Sequence, residues 1–126
     1  MKNSQIEAVF ENRILSVKFM DNAVINKEDL EEIYAFANER ANGKRYCVMF
    51  ESEKHYELTE DGLEYLLENP HKENIIAKVY VLNNAESERK TRLHLLFDKP
   101  EIKPNLFHNA DQGKSWLKSK LQREFL

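Results

Sequence analysis

The groups in this chain that could do chemistry are four histidines, one cysteine and 22 carboxylates. His55 and His71 fall in polar stretches that read as loops, His94 within a helix, and His108 at the end of a short strand. No two of them have the i, i+4 spacing of a helical ligand pair, and there is no cysteine cluster, so the spacing predicts no metal site. Cys47 lies inside the apolar run Tyr46-Cys-Val-Met-Phe50, where a cysteine behaves as a small hydrophobe; a nucleophile needs exposure and a positive neighbour. The three glycines are scattered, which excludes a Gly-rich loop cradling phosphates. Most carboxylates recur at helical spacing opposite apolar stripes and read as solvated faces. Arg89, Lys90 and Arg92 form a basic cluster, but Glu86 and Glu88 stand beside it and no aromatic residue interleaves to stack on bases. That cluster suits one side of a protein interface better than an RNA groove.

The elements that must position these groups are legible from periodicity. Ile6, Ala8 and Phe10 alternate with polar neighbours, and so do Leu15, Val17 and Phe19; the polar turn at Glu11-Asn12 makes a β-hairpin at a sheet edge. Asn26, with Asp29 three residues on, predicts a helix start, and Ile25 and Leu30 have the spacing of a hydrophobic staple. Leu30, Ile33, Tyr34, Ala37 and Ala41 then share one face, and Gly43 is the expected stop. Tyr46–Phe50 reads as a central strand, Glu51–Glu57 as a polar loop, and Thr59 as the cap of a second helix with the stripe Leu63, Leu66, Leu67. Asn69-Pro70 ends that helix.

Ile75–Leu82 is the most hydrophobic strand. Asn83 or Asn84 caps a third helix whose first turns, Glu86 to Arg92, are polar and whose last turns carry Leu93, Leu96 and Phe97 before Pro100. Pro104–His108 is a short edge strand, and Asn109 with Gln112 caps a final helix carrying Trp116, Leu117 and Leu121. The order ββαβαβαβα predicts an α/β fold: a mostly parallel mixed sheet with an antiparallel N-terminal hairpin.

The 126 residues are expected to form a single domain, 1–126, with a real core. No apolar run reaches the roughly 20 residues that span a bilayer, and MKNSQIEAVFEN lacks the apolar core of a signal peptide. With one cysteine, a reducing cytoplasm is the expected location. Net charge is −3, with 10 basic against 16 acidic residues in 1–83 and 9 against 6 in 84–126. That tilt is too small for a nucleic-acid-binding domain.

This order and these phrases resemble the SpoIIAA-like branch of the STAS superfamily, and in particular its small stand-alone bacterial members of unknown role. The resemblance runs from about Ile14 to Leu121. It is most specific where VYVLNN leads to LHLLFDKPEIKP, then NLF, then a capped helix with Trp116-Leu117. It implies binding and regulation without catalysis and without a cofactor. Members that antagonise anti-sigma factors carry an Asp-Ser-Ser-Gly-Leu-like motif at the start of the second helix, with a phosphorylated serine. The matching place here is Thr59-Glu60-Asp61-Gly62-Leu63: Gly62 and Leu63 agree, but Glu60 and Asp61 replace the serines. The regulatory phosphoserine is not carried over, and a fixed negative charge at a helix N-terminus stands in its place.

Sites in open α/β sheets lie at the carboxyl ends of the parallel strands. The expected surface therefore comprises Glu51, Ser52, Thr59, Glu60, Asp61 and Gly62 after one strand, and Asn83, Asn84, Ser87, Arg89 and Arg92 after the next. The expected role is docking of a protein partner, with no nucleic acid and no membrane insertion. The alternative is a carrier or sensor holding an apolar or anionic small molecule between helices and sheet. Self-association is also expected to be open to the chain, through the edge hairpin and aromatic residues such as Tyr56.

Overall fold

The computed structural model describes residues 1–52, 55–68, 70–82 and 104–124. The hairpin forms as expected, from β1 (Ile6–Glu11) and β2 (Ile14–Phe19). Asn12 and Arg13 at its tip both have positive φ, 53° and 61°, the backbone that a two-residue hairpin turn needs. β2 then continues into a three-residue strand, β3 (Ala23–Ile25), and α1 (Lys27–Ala41) follows directly. β4 (Tyr46–Ser52), β5 (Tyr56–Leu58), α2 (Glu60–Glu68) and β6 (Ile75–Val81) come next. β7 (Asn105–Phe107) and α3 (Ala110–Glu124) close the described chain. The helix expected between β6 and β7 lies outside the described residues.

The main sheet has the order β1-β2-β4-β6-β7, antiparallel only between β1 and β2. Parallel neighbours require crossovers, which is why helices intervene between β2 and β4 and between β4 and β6. A second, two-stranded parallel sheet pairs β3 with β5, Ala23 opposite Tyr56 and Ile25 opposite Leu58. It resumes the β2–β4 pairing beyond Phe19↔Ser52. These two strands are a correction to the sequence reading, which took Glu51–Glu57 as loop. Three residues are too few to show a period of two.

Two apolar clusters cover the two faces of the sheet. On one, Leu30, Ile33, Tyr34 and Ala37 of α1 and Leu66 of α2 pack on Tyr46, Val48 and Phe50. On the other, Leu117 and Leu121 of α3 pack on Cys47, Met49, Val79 and Val81. β4 and β6 are thus buried on both sides, as their continuous apolar runs require. α3 comes close because Gly113 faces the sheet; a Cβ there would lie 3.0 Å from Val79 Cγ1.

Local capping is as expected at three places and differs at one. Asn26 Oδ1 accepts from the Asp29 N–H at 2.9 Å while Asp29 Oδ2 accepts from the Asn26 N–H at 3.0 Å, a complete capping box. Gly62 N–H donates to Thr59 Oγ1 at 3.2 Å, and Asn109 Oδ1 accepts from Asp111 and Gln112. At the end of α1, however, Asn42 takes the left-handed C-cap, with φ 51° and ψ 51°, and Gly43 follows at φ 82°. Asparagine tolerates that region well enough to serve there.

Candidate functional site

The candidate edge is built by the small sheet. Because β3 and β5 run side by side, the helices they lead into begin side by side. The Thr59 N–H, at the cap of α2, donates to the Ile25 carbonyl, one residue before the cap of α1, at 2.9 Å. Gly62 is what lets α2 sit this near: a Cβ there would be 2.8 Å from Ile25 O and 3.3 Å from Asn26 C. Any side chain at 62 therefore pushes the two N-termini apart.

At this joint the carboxylates are held. The Thr59 hydroxyl donates to Asp61, and the backbone N–H groups of Lys27 and Gly62 also face that carboxylate. The hydrogen bond from Thr59, then the N–H groups and the Lys27 ammonium, hold the fully exposed Asp61 carboxyl below its ordinary value. Glu60, beside it, is exposed. The N–H groups of Lys27, Asp29 and Gly62 in the first turns of α1 and α2 are engaged by Asp61, Asn26 and Thr59, so the edge presents the Asp61 carboxylate where a free anion would otherwise sit.

Of the residues expected on this surface, Thr59, Glu60 and Asp61 are brought together. Two expectations are corrected. Ser52 is only 3% exposed, because β4 extends through it and pairs it with Phe19. Gly62 is buried against the Ile25 carbonyl and shapes the edge from beneath. Glu51 lies in β4 opposite Lys18, upstream of β5. Asn83, Asn84, Ser87, Arg89 and Arg92 lie outside the described residues, as does His94. Tyr56, expected to be an exposed aromatic, instead packs on Phe19 with ring centroids 5.0 Å apart. Among the described residues the large hydrophobic side chains that stand out are Val9 on β1 and Val24 on β3.

Two further groups of residues were not singled out by the sequence. His71, after α2, links α2 to α1 and, through Asn38, to β4: its Nε2 lies 3.0 Å from the Tyr65 hydroxyl and its Nδ1 3.4 Å from Asn38 Nδ2. Asn38 Oδ1 in turn accepts from the Tyr46 hydroxyl at 2.7 Å, and the His71 ring stacks on Tyr34 at 4.8 Å. If Asn38 donates to Nδ1, the proton sits on Nε2 and the ring is neutral. Burial lowers the His71 pKa, which favours the neutral ring.

The second is Lys78, in the middle of β6 and 2% exposed. It faces the α1–α2 side, with its Nζ 5.8 Å from the Phe50 ring centroid and 5.9 Å from that of Tyr80. Between described residues the ion pairs are Lys27–Glu31, Arg45–Glu124 and His55–Glu57, and Lys78 belongs to none of them. Desolvation pulls its pKa down to about 8. A cation–π contact contributes about 0.5–2 kcal/mol, less than the several kcal/mol that burying an ammonium costs. In the same core half the Tyr34 hydroxyl is buried with no hydrogen-bond partner, which costs about 1–3 kcal/mol. Burial, and then the neighbouring phenols of Tyr80, Tyr46 and Tyr65, raise its pKa well above the usual value. The signal for Lys78 was present in the sequence as one charged residue interrupting Ile75–Leu82.

Cys47 is buried, its thiol pushed up to about 11 by desolvation, and it packs as a small hydrophobe against α3. Among the described residues no three His, Cys, Asp or Glu side chains converge, and no helix is long and apolar enough to cross a membrane.

A family profile described as a domain of unknown function, DUF7793, matches residues 8–121. The chain belongs to the DUF7793 family. This DUF7793 domain is also similar to the crystal structure of an uncharacterized protein of the DUF3478 family with a SpoIIAA-like fold, from Shewanella loihica PV-4. The two superpose with a TM-score of 0.56 at 13% identity, over 93% of this chain and 98% of the other. The DUF7793 domain therefore has a SpoIIAA-like fold, as its element order and the Ile75–Leu121 phrases suggested. No curated protein matches the chain.

Proposed function

We propose that this domain is a non-enzymatic regulatory module that docks a protein partner at the edge where α1 and α2 begin. The observation that carries the reading is the Thr59–Ile25 hydrogen bond, which sets Glu60 and Asp61 side by side at two adjoining helix N-termini. The carboxylates there are exposed while the N–H groups of Lys27 and Gly62 behind them are engaged by Asp61. Such an edge has negative charge to offer a basic protein surface and few open donors for a phosphate or nucleotide.

The resemblance to SpoIIAA-like proteins supports the same place. Where those members present a serine that is phosphorylated, this chain carries the carboxylates of Glu60 and Asp61. Docking here is accordingly constitutive, set by the partner's availability and not by a kinase. The stretch Asn83 to Arg92 follows β6 in the sequence, and Arg89 and Arg92 are tested beside the edge on that ground alone.

The test is partner capture with the intact domain against a Glu60→Lys/Asp61→Lys variant, with Arg89→Glu/Arg92→Glu as a second set. A protein enriched by the wild type and lost by the folded Glu60/Asp61 variant supports the reading. Equal enrichment by that variant overturns it.

A further inference from the structure

We infer that His71 is a pH-sensitive latch: neutral, it ties the end of α2 to α1, and protonated, it lets α2 come away from its neighbour. The latch lies at the opposite end of α2 from the docking edge and stands whether or not a partner docks there. Two observations carry it, one about packing and one about donors and acceptors.

The first is that α2 is thinly anchored. Of its nine residues only Gly62 and Leu66 are buried, whereas α1 buries Leu30, Ile33, Tyr34, Ala37 and Ala41. Gly62 fixes the start of the helix against Ile25, and Leu66 holds its middle in the core. The end is held by polar and ring contacts instead. His71 Nε2 lies 3.0 Å from the Tyr65 hydroxyl, its Nδ1 3.4 Å from Asn38 Nδ2, and its ring 4.8 Å from that of Tyr34. An element with few buried apolar contacts opens before the core does.

The second is that this network accepts only one proton on the ring. The Tyr46 hydroxyl donates to Asn38 Oδ1 at 2.7 Å, which turns the amide nitrogen toward His71. An amide nitrogen only donates, so Nδ1 accepts and the ring proton belongs on Nε2. A second proton sets two donors face to face. Turning the Asn38 amide over would offer Oδ1 to the imidazolium but strip the buried Tyr46 of its acceptor, in a core where the Tyr34 hydroxyl already has none. The His71 ring is half-buried, so protons from solvent reach it. Facing it are Glu31 and Tyr34 of α1 and Tyr65 of α2, and Lys72 and Glu73 follow it in the chain. Burial lowers its pKa and outweighs Glu31, which favours the imidazolium. The opened latch therefore takes up the proton before the closed one, and the latch weakens as pH falls through about 6.5.

The experiment follows backbone amide hydrogen exchange of the isotopically labelled domain by NMR at pH 7.5 and 5.5, with and without about 1 M urea, corrected for the intrinsic rate at each pH. Amides of α2 are expected to exchange through an opening of their own. They should be less protected than those of β4 and β6, depend less on urea, and lose about three- to tenfold of their protection at the lower pH. His71→Gln should remove that pH dependence. Asn38→Asp offers an acceptor to both the imidazolium and the Tyr46 hydroxyl. It should keep α2 protected at pH 5.5 and raise the pKa of the His71 ring, read from its own resonances. Amides of α2 as protected and as urea-sensitive as those of β4 would overturn the latch, because the helix would then open only with the whole fold. So would equal protection at the two pH values, an undiminished pH dependence in His71→Gln, or an acid loss in Asn38→Asp equal to that of the wild type.

Discussion

The Thr59 N–H and the Ile25 carbonyl, 2.9 Å apart, join the ends of two short strands and so fix where two helices start. Neither residue does chemistry. Together they bring the exposed Asp61 carboxylate to the first turn of α1, with Glu60 next to it in the chain, and the proposed docking edge is a consequence of that single bond. The closeness of the joint depends on the absence of a side chain at Gly62.

Gly62→Ala is therefore expected to destabilise the fold, although alanine is the better helix former. The added Cβ meets a backbone oxygen at 2.8 Å, which cannot rotate away as a side chain could. Overpacking of this kind costs about 1–3 kcal/mol. Urea unfolding of the variant should show a lower midpoint with an unchanged slope; a midpoint at or above that of the wild type would show that the joint is looser than described.

The Asn26 capping box makes a smaller, local contribution. Asn26→Ala removes the acceptor of the Asp29 N–H and should cost about 1 kcal/mol. Asn26→Gly should cost only a few tenths of that, so thermal melts of the pair separate the cap from any wider role of the side chain.

Lys78→Met is expected to raise stability at pH 7 by about 1–3 kcal/mol, by removing a buried ammonium without changing the core volume much. The sign of the pH dependence follows from the lowered pKa. The folded form loses its proton near pH 8 and the unfolded chain near 10.5. Between those values the unfolded state binds more protons, so wild-type stability rises with pH and the advantage of the variant shrinks. Chemical denaturation of both proteins at pH 7 and pH 10 checks this, and a constant difference would mean that Lys78 is already paired.

His71 predicts loss of stability on the acid side. Its pKa is lowered in the folded state, so below about 6.5 the unfolded chain takes up the proton first and stability falls as pH falls. Protonation also turns Nδ1 into a donor facing the Asn38 amide nitrogen, which ends that contact. Denaturant midpoints of the wild type should drop between pH 7.5 and 5.5, and His71→Gln should flatten that dependence. An equally steep fall in the variant would assign the effect to other groups.

Much of this fold was legible because its signals are local. The Asn26–Asp29 box, the Asn12 turn and the apolar runs Tyr46–Phe50 and Ile75–Leu82 each declare themselves within a few residues. β3 and β5 did not, since each is three residues long and exists only because the other lies beside it. Ser52 was placed on the surface for the same reason: its burial is set by its pairing with Phe19, which no local pattern reveals. Of the candidate site, Thr59, Glu60 and Asp61 could be read from capping chemistry, whereas their neighbour Ile25, more than thirty positions earlier, could not. Lys78 and Tyr34 were hidden differently. A lysine within an apolar strand and a tyrosine on an apolar helix face look ordinary until the lysine is found buried and the tyrosine hydroxyl buried without a partner.

The most direct test of the central claim is quantitative partner capture by the wild-type domain and by Glu60→Lys/Asp61→Lys, read by mass spectrometry, with circular dichroism confirming that both are folded. Both substitutions lie on the exposed side of the Thr59–Ile25 joint and leave Gly62 in place. The docking account predicts a specific protein enriched by the wild type and absent from the charge-reversed variant. The same protein recovered equally by both would contradict it.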